Sequence, residues 1–389
     1  MEYRDPQLRR LILHFAVFAS VAGCSGCKGE KFGTAPSSSS GSVIWVAPGS
    51  AIGQPAVDDT AVYFGTTDHH VIAVRRQTGA LRWSATTGGQ TPRTLNGQNV
   101  ILAAGNIVFG DYAIYAFDQA TGSMRWVFDP EKQGIAGYAP GAYELRTDGA
   151  TIYSGSGSGH AYAINAADGS LAWIAPLAVD GHSSVYDPVL DGNTVYVTVR
   201  HFTNPITGAV FALDRATGAV EWSHVFSPPT PQTGSGPLDK VVVFGNTIIV
   251  SVDDGKIYAL DKATGGVQWT APRLPDATGL DDSRPIILVG TTLVAGSTAL
   301  ELTGYDAATG HLLWQANGGQ GSAINSLATD GDVVYVPYNN GALGAFDGET
   351  GVRRWIRSAP NGGLFTSYPF AATDAIFAPS TTGLVALKK

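Results

Sequence analysis

Residues 259–269 read Ala-Leu-Asp-Lys-Ala-Thr-Gly-Gly-Val-Gln-Trp, and the chain makes this statement seven times. A small residue stands ten positions before a Trp at Ala73 with Trp83, Ala116 with Trp126, Ala163 with Trp173, Ala212 with Trp222, Ala259 with Trp269, Gly304 with Trp314 and Ala345 with Trp355. A Gly six positions after the small residue completes every copy, from Gly79 to Gly351. Trp45, the eighth Trp, has no such partner before it. Self-similarity at a fixed period decides architecture before any local assignment does, and a chain of 389 residues therefore reads as one array rather than as several domains.

Each copy breaks into four short pieces. In the fifth, 236–243, 247–252, 256–261 and 267–271 are rich in Val, Ile and Tyr and are separated by turn residues, the signature of strands joined by hairpins. Asn96-Gly97, Asp148-Gly149, Asp191-Gly192 and Asp330-Gly331 read as turns between first and second pieces; Asp253-Asp254-Gly255, Asn339-Asn340-Gly341 and Gly157-Ser158-Gly159 read as turns between second and third. The Trp residues are spaced 38, 43, 47, 49, 47, 45 and 41 apart, the arithmetic of a four-stranded propeller blade. After Trp355 the chain supplies three more strands, near residues 368–369, 374–378 and 383–388, and stops. The missing fourth strand is then 43–47, with Ala386 as the small partner of Trp45. The fold expected is all-β: an eight-bladed β-propeller of four-stranded antiparallel blades, closed by an N-terminal strand around Trp45 that completes the C-terminal blade. Closure removes the free edge that invites aggregation, and a monomeric ring is expected.

The motif side chains are expected to be structural. An indole needs a flat slot, which a small residue on the neighbouring strand leaves open; this assigns docking roles to Trp45, Trp83, Trp126, Trp173, Trp222, Trp269, Trp314 and Trp355. The motif Asp recurs as Asp118, Asp214, Asp261, Asp306 and Asp347, with Arg75 and Asn165 in its place elsewhere, and reads as a turn residue bonding the backbone.

Composition narrows the partners. Charged residues make up 14% of the chain and the formal net charge is −8, which sets nucleic acid aside. Arg4, Arg9 and Arg10 precede an apolar run over 11–23, too short to span a bilayer and suited to a signal peptide. Val21-Ala22-Gly23-Cys24 resembles a bacterial lipobox, which implies cleavage before Cys24 and its lipidation. The expected divisions are a leader at 1–23, a lipidated and flexible linker at 24–41 with unbroken Ser at 37–40, and the propeller at 42–389. Cys24 and Cys27 are the only cysteines, so the body carries no thiol chemistry; a redox or metal reading of the pair lacks a second set of ligands.

The repeat Ala-x-Asp-x-x-Thr-Gly-x-x-x-Trp, with 258–265 as its fullest copy, resembles the tryptophan-docking motif of the pyrroloquinoline-quinone-type (PQQ-type) propellers, and the resemblance covers about residues 42–387. Two branches of that family differ in what they imply. The quinoprotein dehydrogenases would bring PQQ with Ca²⁺ near the axis, and a vicinal Cys-Cys pair that this chain lacks. The non-enzymatic branch, a lipoprotein of the outer-membrane β-barrel assembly machinery, implies a docking scaffold without a cofactor. The expectation is accordingly an envelope lipoprotein, non-enzymatic, lipid-anchored and facing the periplasm from the outer membrane; Ser25 after the lipidated Cys fits that sorting. The alternative is a PQQ-dependent dehydrogenase or a quinone- or small-ligand-binding propeller.

Little else carries chemistry. No Gly-x-Ser-x-Gly, Walker or His-Glu-x-x-His motif occurs. Residues 155–159, Gly-Ser-Gly-Ser-Gly, precede a strand rather than a helix and read as a hairpin. His69 and His70 are adjacent and form a poor chelating pair, and His70 and His160 fall two blades apart. Catalytic, cofactor and metal residues are therefore expected to be absent. The variable loops from fourth to first strands remain, where Gln54, Thr91, Asp187, Gly236, Arg284 and Tyr368 precede first-strand positions. Arg93, Asp281, Asp282 and Arg284 are the candidate partner contacts there, with a solvated loop carrying local ion pairs as the other reading.

Overall fold

The computed structural model describes residues 40–87, 99–110, 113–133, 144–178, 182–202, 206–227, 240–273, 285–296, 301–317, 326–338, 340–366 and 368–389; the expected leader, and the expected linker up to residue 39, lie outside them. The fifth copy of the repeat shows how the sequence makes a blade. Its strands are Val242–Phe244, Thr247–Val252, Lys256–Asp261 and Val267–Pro272. The second and third match the expected bounds, the fourth runs one residue further, and the first begins later than expected. Gly255 turns the central hairpin at φ 84°. His69 takes the equivalent place in the first copy at φ 62°, a conformation that His tolerates better than most side chains.

Eight sheets of this kind form among the described residues. Counted in chain order, blade one runs from residue 51 to 86 and blade seven from 328 to 358. Blade eight joins Val43–Ala47 to Gly383–Lys388, with Trp45 directly opposite Ala386, so both termini build one sheet. Two backbone bonds, Gly41 N–H to Lys388 O at 2.7 Å and Lys388 N–H to Ser42 O at 2.8 Å, extend the seam. Blade four splits its inner strand into Ser183–Val185 and Val189–Asp191, both paired with Thr194–His201. Pro188 stands in the gap, where a missing N–H interrupts the ladder. One expected turn is corrected. The hairpin between first and second strands of blade two turns at Ala104-Gly105, with Ala103 opposite Asn106, and Asn96-Gly97 precedes the first strand. Asn96-Gly97 itself lies outside the described residues.

Each Trp lies between two small residues. On its own sheet it faces the motif Ala across the third and fourth strands, as in Ala73 with Trp83 and Ala259 with Trp269. Its other side rests on the motif Gly of the next blade: Trp45 on Gly79, Trp83 on Gly122, Trp222 on Gly265, and finally Trp355 on Gly41. These glycines hold φ between 67° and 74°, and a Cβ on Gly265 would sit 2.5 Å from Trp222 Cε3. Five indole N–H groups also donate across the blade boundary at 2.9–3.2 Å, from Trp45 to Arg76 O, Trp83 to Gln119 O, Trp126 to Ala166 O, Trp173 to Arg215 O and Trp222 to Lys262 O. Trp314 leans instead into the space a Cβ on Gly304 would fill, 2.2 Å from Cε2, and its N–H has no hydrogen-bond partner among the described residues. That explains why blade six alone carries Gly at this place.

The motif Asp acts as expected. Asp261 accepts from the Ala263 and Thr264 N–H groups and the Thr264 hydroxyl at 2.8–3.1 Å, and Asp118, Asp214 and Asp306 repeat the arrangement. The residue just after it does more than the sequence suggests. Its carbonyl receives the indole, and its side chain reaches back to an Asp in the inner turn of the preceding blade: Arg76 to Asp374, Gln119 to Asp58 at 2.7 Å, Arg215 to Asp148 at 3.4 Å, Lys262 to Asp191 at 2.5 Å and Lys389 to Asp330 at 2.7 Å.

Between the sheets the interior is apolar. Eight buried clusters each join two neighbouring blades, and the one at the seam packs Trp45, Phe64, Phe377 and Leu384 together. First strands of successive blades touch from blade five through eight and one to three, so they line the axis while the Trp strands lie outermost. No helix among the described residues is long and apolar enough to cross a membrane.

Two outcomes follow from this packing. Gly265→Ala forces a left-handed Ala against an indole and is expected to cost about 2 kcal/mol or more. Gly245→Ala, at φ 57° with open space around it, is expected to cost about 1 kcal/mol; urea unfolding followed by Trp fluorescence separates them, and equal losses would refute the stacking account. The second concerns acid. Burial raises the Asp58 pKa, but hydrogen bonds from Thr60 N–H, Tyr63, Ala61 N–H and Gln119 outweigh it and hold the carboxyl at about 2, against an ordinary 3.8. Asp148 and Asp330 are lowered in the same way, and Arg76 lowers Asp374. A depressed folded-state pKa stabilises the fold above the unfolded value and loses that contribution as pH falls through the folded value. The melting temperature is therefore expected to hold down to about pH 4 and to fall from there toward about pH 2, and Asp58→Asn is expected to flatten that fall.

Candidate functional site

The first strands place one residue per blade at a common level around the axis. Four positions before the residue that opens each inner hairpin (58, 103, 148, 191, 244, 289, 330 and 372) stand Gln54, Asn99, Glu144, Asp187, Lys240, Pro285, Ser326 and Tyr368. The charged three occupy consecutive blades, three to five, and the other blades contribute neutral residues. The ring is thus electrically lopsided. In blade three Arg146 follows two residues after Glu144 and adds a second cation to the charged side.

These groups are tied together across the axis. Glu144 Oε2 accepts from both Arg146 Nη2 and Lys240 Nζ, the latter at 3.2 Å, while the Glu144 N–H donates to Asp187 Oδ1 at 3.1 Å. Lys240 Nζ lies 5.3 Å from the centroid of the Tyr368 ring on blade eight. Burial pushes the Glu144 carboxyl up, and Lys240 and Arg146 more than offset it, leaving it below its ordinary value. Burial pushes the Arg146 guanidinium down, and Glu144 and Asp187 outweigh that and raise it. Both effects keep the charges in place at neutral pH. The Glu144 side chain is 2% exposed, whereas Arg146 and Lys240 each keep 25%. Those cations, with Gln54 and Tyr368, line a cavity of about 210 Å³ whose remaining wall is largely apolar, including Ile286, Leu327 and Phe370 from blades six to eight.

Of the residues that sequence reasoning placed at this end, Gln54 and Tyr368 reach the cavity and Asp187 sits behind it. Thr91, Gly236, Arg284, Arg93, Asp281 and Asp282 lie outside the described residues, as does Cys24. Arg146, Lys240 and the role of Glu144 were missed. The expectation was anchored on Pro at the start of the first strand, and blade three has Leu145 there. That change has its own use: the Leu145 N–H, which Pro lacks, donates to Asn99 Oδ1 at 2.7 Å, and Asn99 Nδ2 returns a bond to Leu145 O at 2.9 Å. Counting back from the inner turn, rather than forward from Pro, recovers Glu144 and Lys240, and Arg146 follows two residues after Glu144.

The histidines and the Gly-Ser loop are local. His70 bonds the Asp68 carbonyl at 2.9 Å, and His160 meets Ser158 Oγ at 3.1 Å inside the hairpin that carries Ser156 and Gly159. Among the described residues no group of three or more His, Cys, Asp or Glu is placed to hold a metal ion. The described residues do not suit a Ca²⁺–quinone pair. Ca²⁺ takes several oxygen ligands at once, and of the two buried axial carboxylates Glu144 is already shared by two cations while Asp187 accepts from the Glu144 N–H.

The comparisons with known proteins agree on the fold and divide on activity. A family described as outer membrane protein assembly factor BamB matches residues 34–200 and again 180–389. Tetrathionate hydrolase of Acidithiobacillus ferrooxidans is 27% identical over 349 residues, 80% of this chain and 58% of that protein. Outer membrane protein assembly factor BamB of Yersinia pestis is 27% identical over 256 residues, 63% of this chain and 61% of that protein. The chain therefore spans about three fifths of the length of these curated relatives. The crystal structure of BamB from Moraxella catarrhalis superposes with a TM-score of 0.64 at 18% identity, over 88% of this chain and 97% of that one, a likeness of fold. With the repeat, the ring closure and a family match over most of its length, the chain belongs to the PQQ-type β-propeller family described as outer membrane protein assembly factor BamB.

Proposed function

We propose that the protein is a non-catalytic scaffold of the bacterial cell envelope, anchored by lipid at Cys24, that docks a protein partner through the loops at the charged end of the ring and serves outer-membrane protein assembly. The observation that carries this reading is the mutual engagement of the axial charges. Glu144 is committed to Arg146 and Lys240, and catalysis by acid and base asks for groups held apart in pKa and open to a substrate. The BamB relative supports the assembly role, and rigid blades carrying variable loops are a common basis for partner recognition. Tetrathionate hydrolase shares the same degree of identity, so a hydrolytic activity is the reading to test against.

Replacing Arg93, Asp281, Asp282 and Arg284 with Ala together is expected to lower partner capture several-fold in cross-linking on intact cells, with the melting temperature of the ring unchanged. Components of an outer-membrane assembly complex are expected among the captured proteins. Unchanged capture by the fourfold variant would remove these loops from the interface. Consumption of tetrathionate by the purified chain, or saturable binding of PQQ with Ca²⁺ accompanied by dye-linked alcohol oxidation, would overturn the non-catalytic reading.

A further inference from the structure

The axial cavity has a polarity that the docking reading does not use. Its charged wall presents Arg146 and Lys240, each with 25% of its side chain exposed, while Glu144, which pairs with both, is 2% exposed and contributes nothing to the cavity surface. Asp187 likewise stands behind the wall, bonded to the Glu144 backbone. The counter-charges therefore hold the two cations in position without covering them. A group entering the cavity meets two cationic side chains and no carboxylate among the lining residues. Arg146 spends one Nη on the Leu145 carbonyl at 3.0 Å and the other on Glu144, so its orientation is fixed by bonds at its back. Gln54 and Tyr368 add a neutral donor set beside the cations. The opposite wall, from Ile286, Leu327 and Phe370, is apolar.

We infer that this cavity is a binding site for a carboxylate carrying a short apolar tail, with the carboxylate on Arg146 and Lys240 and the tail against the wall of blades six to eight. The two walls exclude simpler occupants. A hydrated inorganic anion would leave the apolar side unsatisfied, and a neutral hydrocarbon would desolvate two charged heads without replacing their water. A carboxylate supplies a charge-assisted acceptor where the guanidinium and ammonium face it, and the tail takes apolar wall out of water. The chemistry fits a free short-chain acid or the C-terminus of a polypeptide ending in an apolar residue. This inference is independent of the docking loops, because none of the residues it uses is replaced in the loop variant above.

Calorimetric titration of the purified full chain with pentanoate tests it. Saturable binding is expected, about tenfold tighter than acetate, which has the same charge and three fewer methylenes, and sulfate is expected to be weaker still. Lys240→Met is expected to weaken pentanoate by about tenfold or more. Ala371 lines the cavity from blade eight and belongs to no ion pair, so Ala371→Phe is expected to abolish binding while a cooperative melting transition is retained, which guards against a folding defect in the first variant. A tetrapeptide Gly-Ser-Gly-Val and its C-terminal amide separate the two sources: binding of the free acid alone assigns a polypeptide terminus, and binding of pentanoate without either peptide assigns a small acid. Absence of saturable pentanoate binding, equal affinity for acetate or sulfate, equal binding of the amide, or full binding by Ala371→Phe would each overturn the assignment.

Discussion

The structure depends on an indole from one blade lying flat on a glycine of the next. Two constraints meet at that contact. The glycine must turn left-handed to end the third-to-fourth-strand corner, and it must have no Cβ because the ring lies where a Cβ would go. Neither condition alone demands Gly at every copy, since Asn or Asp tolerates the backbone conformation at some positions. Together they do. The same corner receives the indole N–H on its next carbonyl and sends a side chain back to the preceding blade's inner turn, so packing, hydrogen bonding and charge all act at one joint. Repetition of that joint fixes the angle between blades, and eight such angles close a ring.

Much of this was legible in the sequence because the joint is local. Thr247–Val252 and Lys256–Asp261 were readable to the residue, since each lies between a turn and the motif that defines the copy. Trp45 was placed opposite Ala386 by counting alone, and the pairing is found in that register. The stacking of each Trp on the next blade's Gly was not legible: the two are 34 residues apart at Trp45 and Gly79, and nothing in either residue states which copy it meets. The inner strands were harder still. They are short, they lack the motif, and one expected turn, Asn96-Gly97, drew the boundary of blade two too early. Glu144 and Lys240 escaped for the same reason, whereas Asp187 was placed there by its neighbour Pro188. Glu144, Asp187 and Lys240 stand at one level of the ring only when the copies are aligned on their inner turns, and blade three has exchanged Pro for Leu145 at the position that anchored the alignment.

The repeats are equivalent in what holds them together and unlike in what they present. All eight contribute to the outer girdle of indoles, whereas the inner level divides into a charged arc and a neutral one. A buried ion cluster of this kind adds little net stability, because desolvation offsets most of the attraction, but it strongly penalises arrangements that leave one member alone. Glu144, Lys240 and Tyr368 come from blades three, five and eight, so the cluster also ties together parts of the ring that share no sheet. Divergence has thus accumulated where the scaffold does not need identity, at the axis and in the loops above it.

Blade eight sets the order in which the molecule can be finished. Val43–Ala47 and its partner Gly383–Lys388 are the paired strands of the ring furthest apart in sequence. The other seven sheets pair strands close in sequence, but the strand carrying Trp45 has an unpaired edge until residues 383–388 reach it. Before closure the ring is an open arc with an exposed strand at one end. Contacts of such long sequence separation are slow to form, so the final event in folding is a search by these two strands for each other, and the edge stays available to other chains until that search ends.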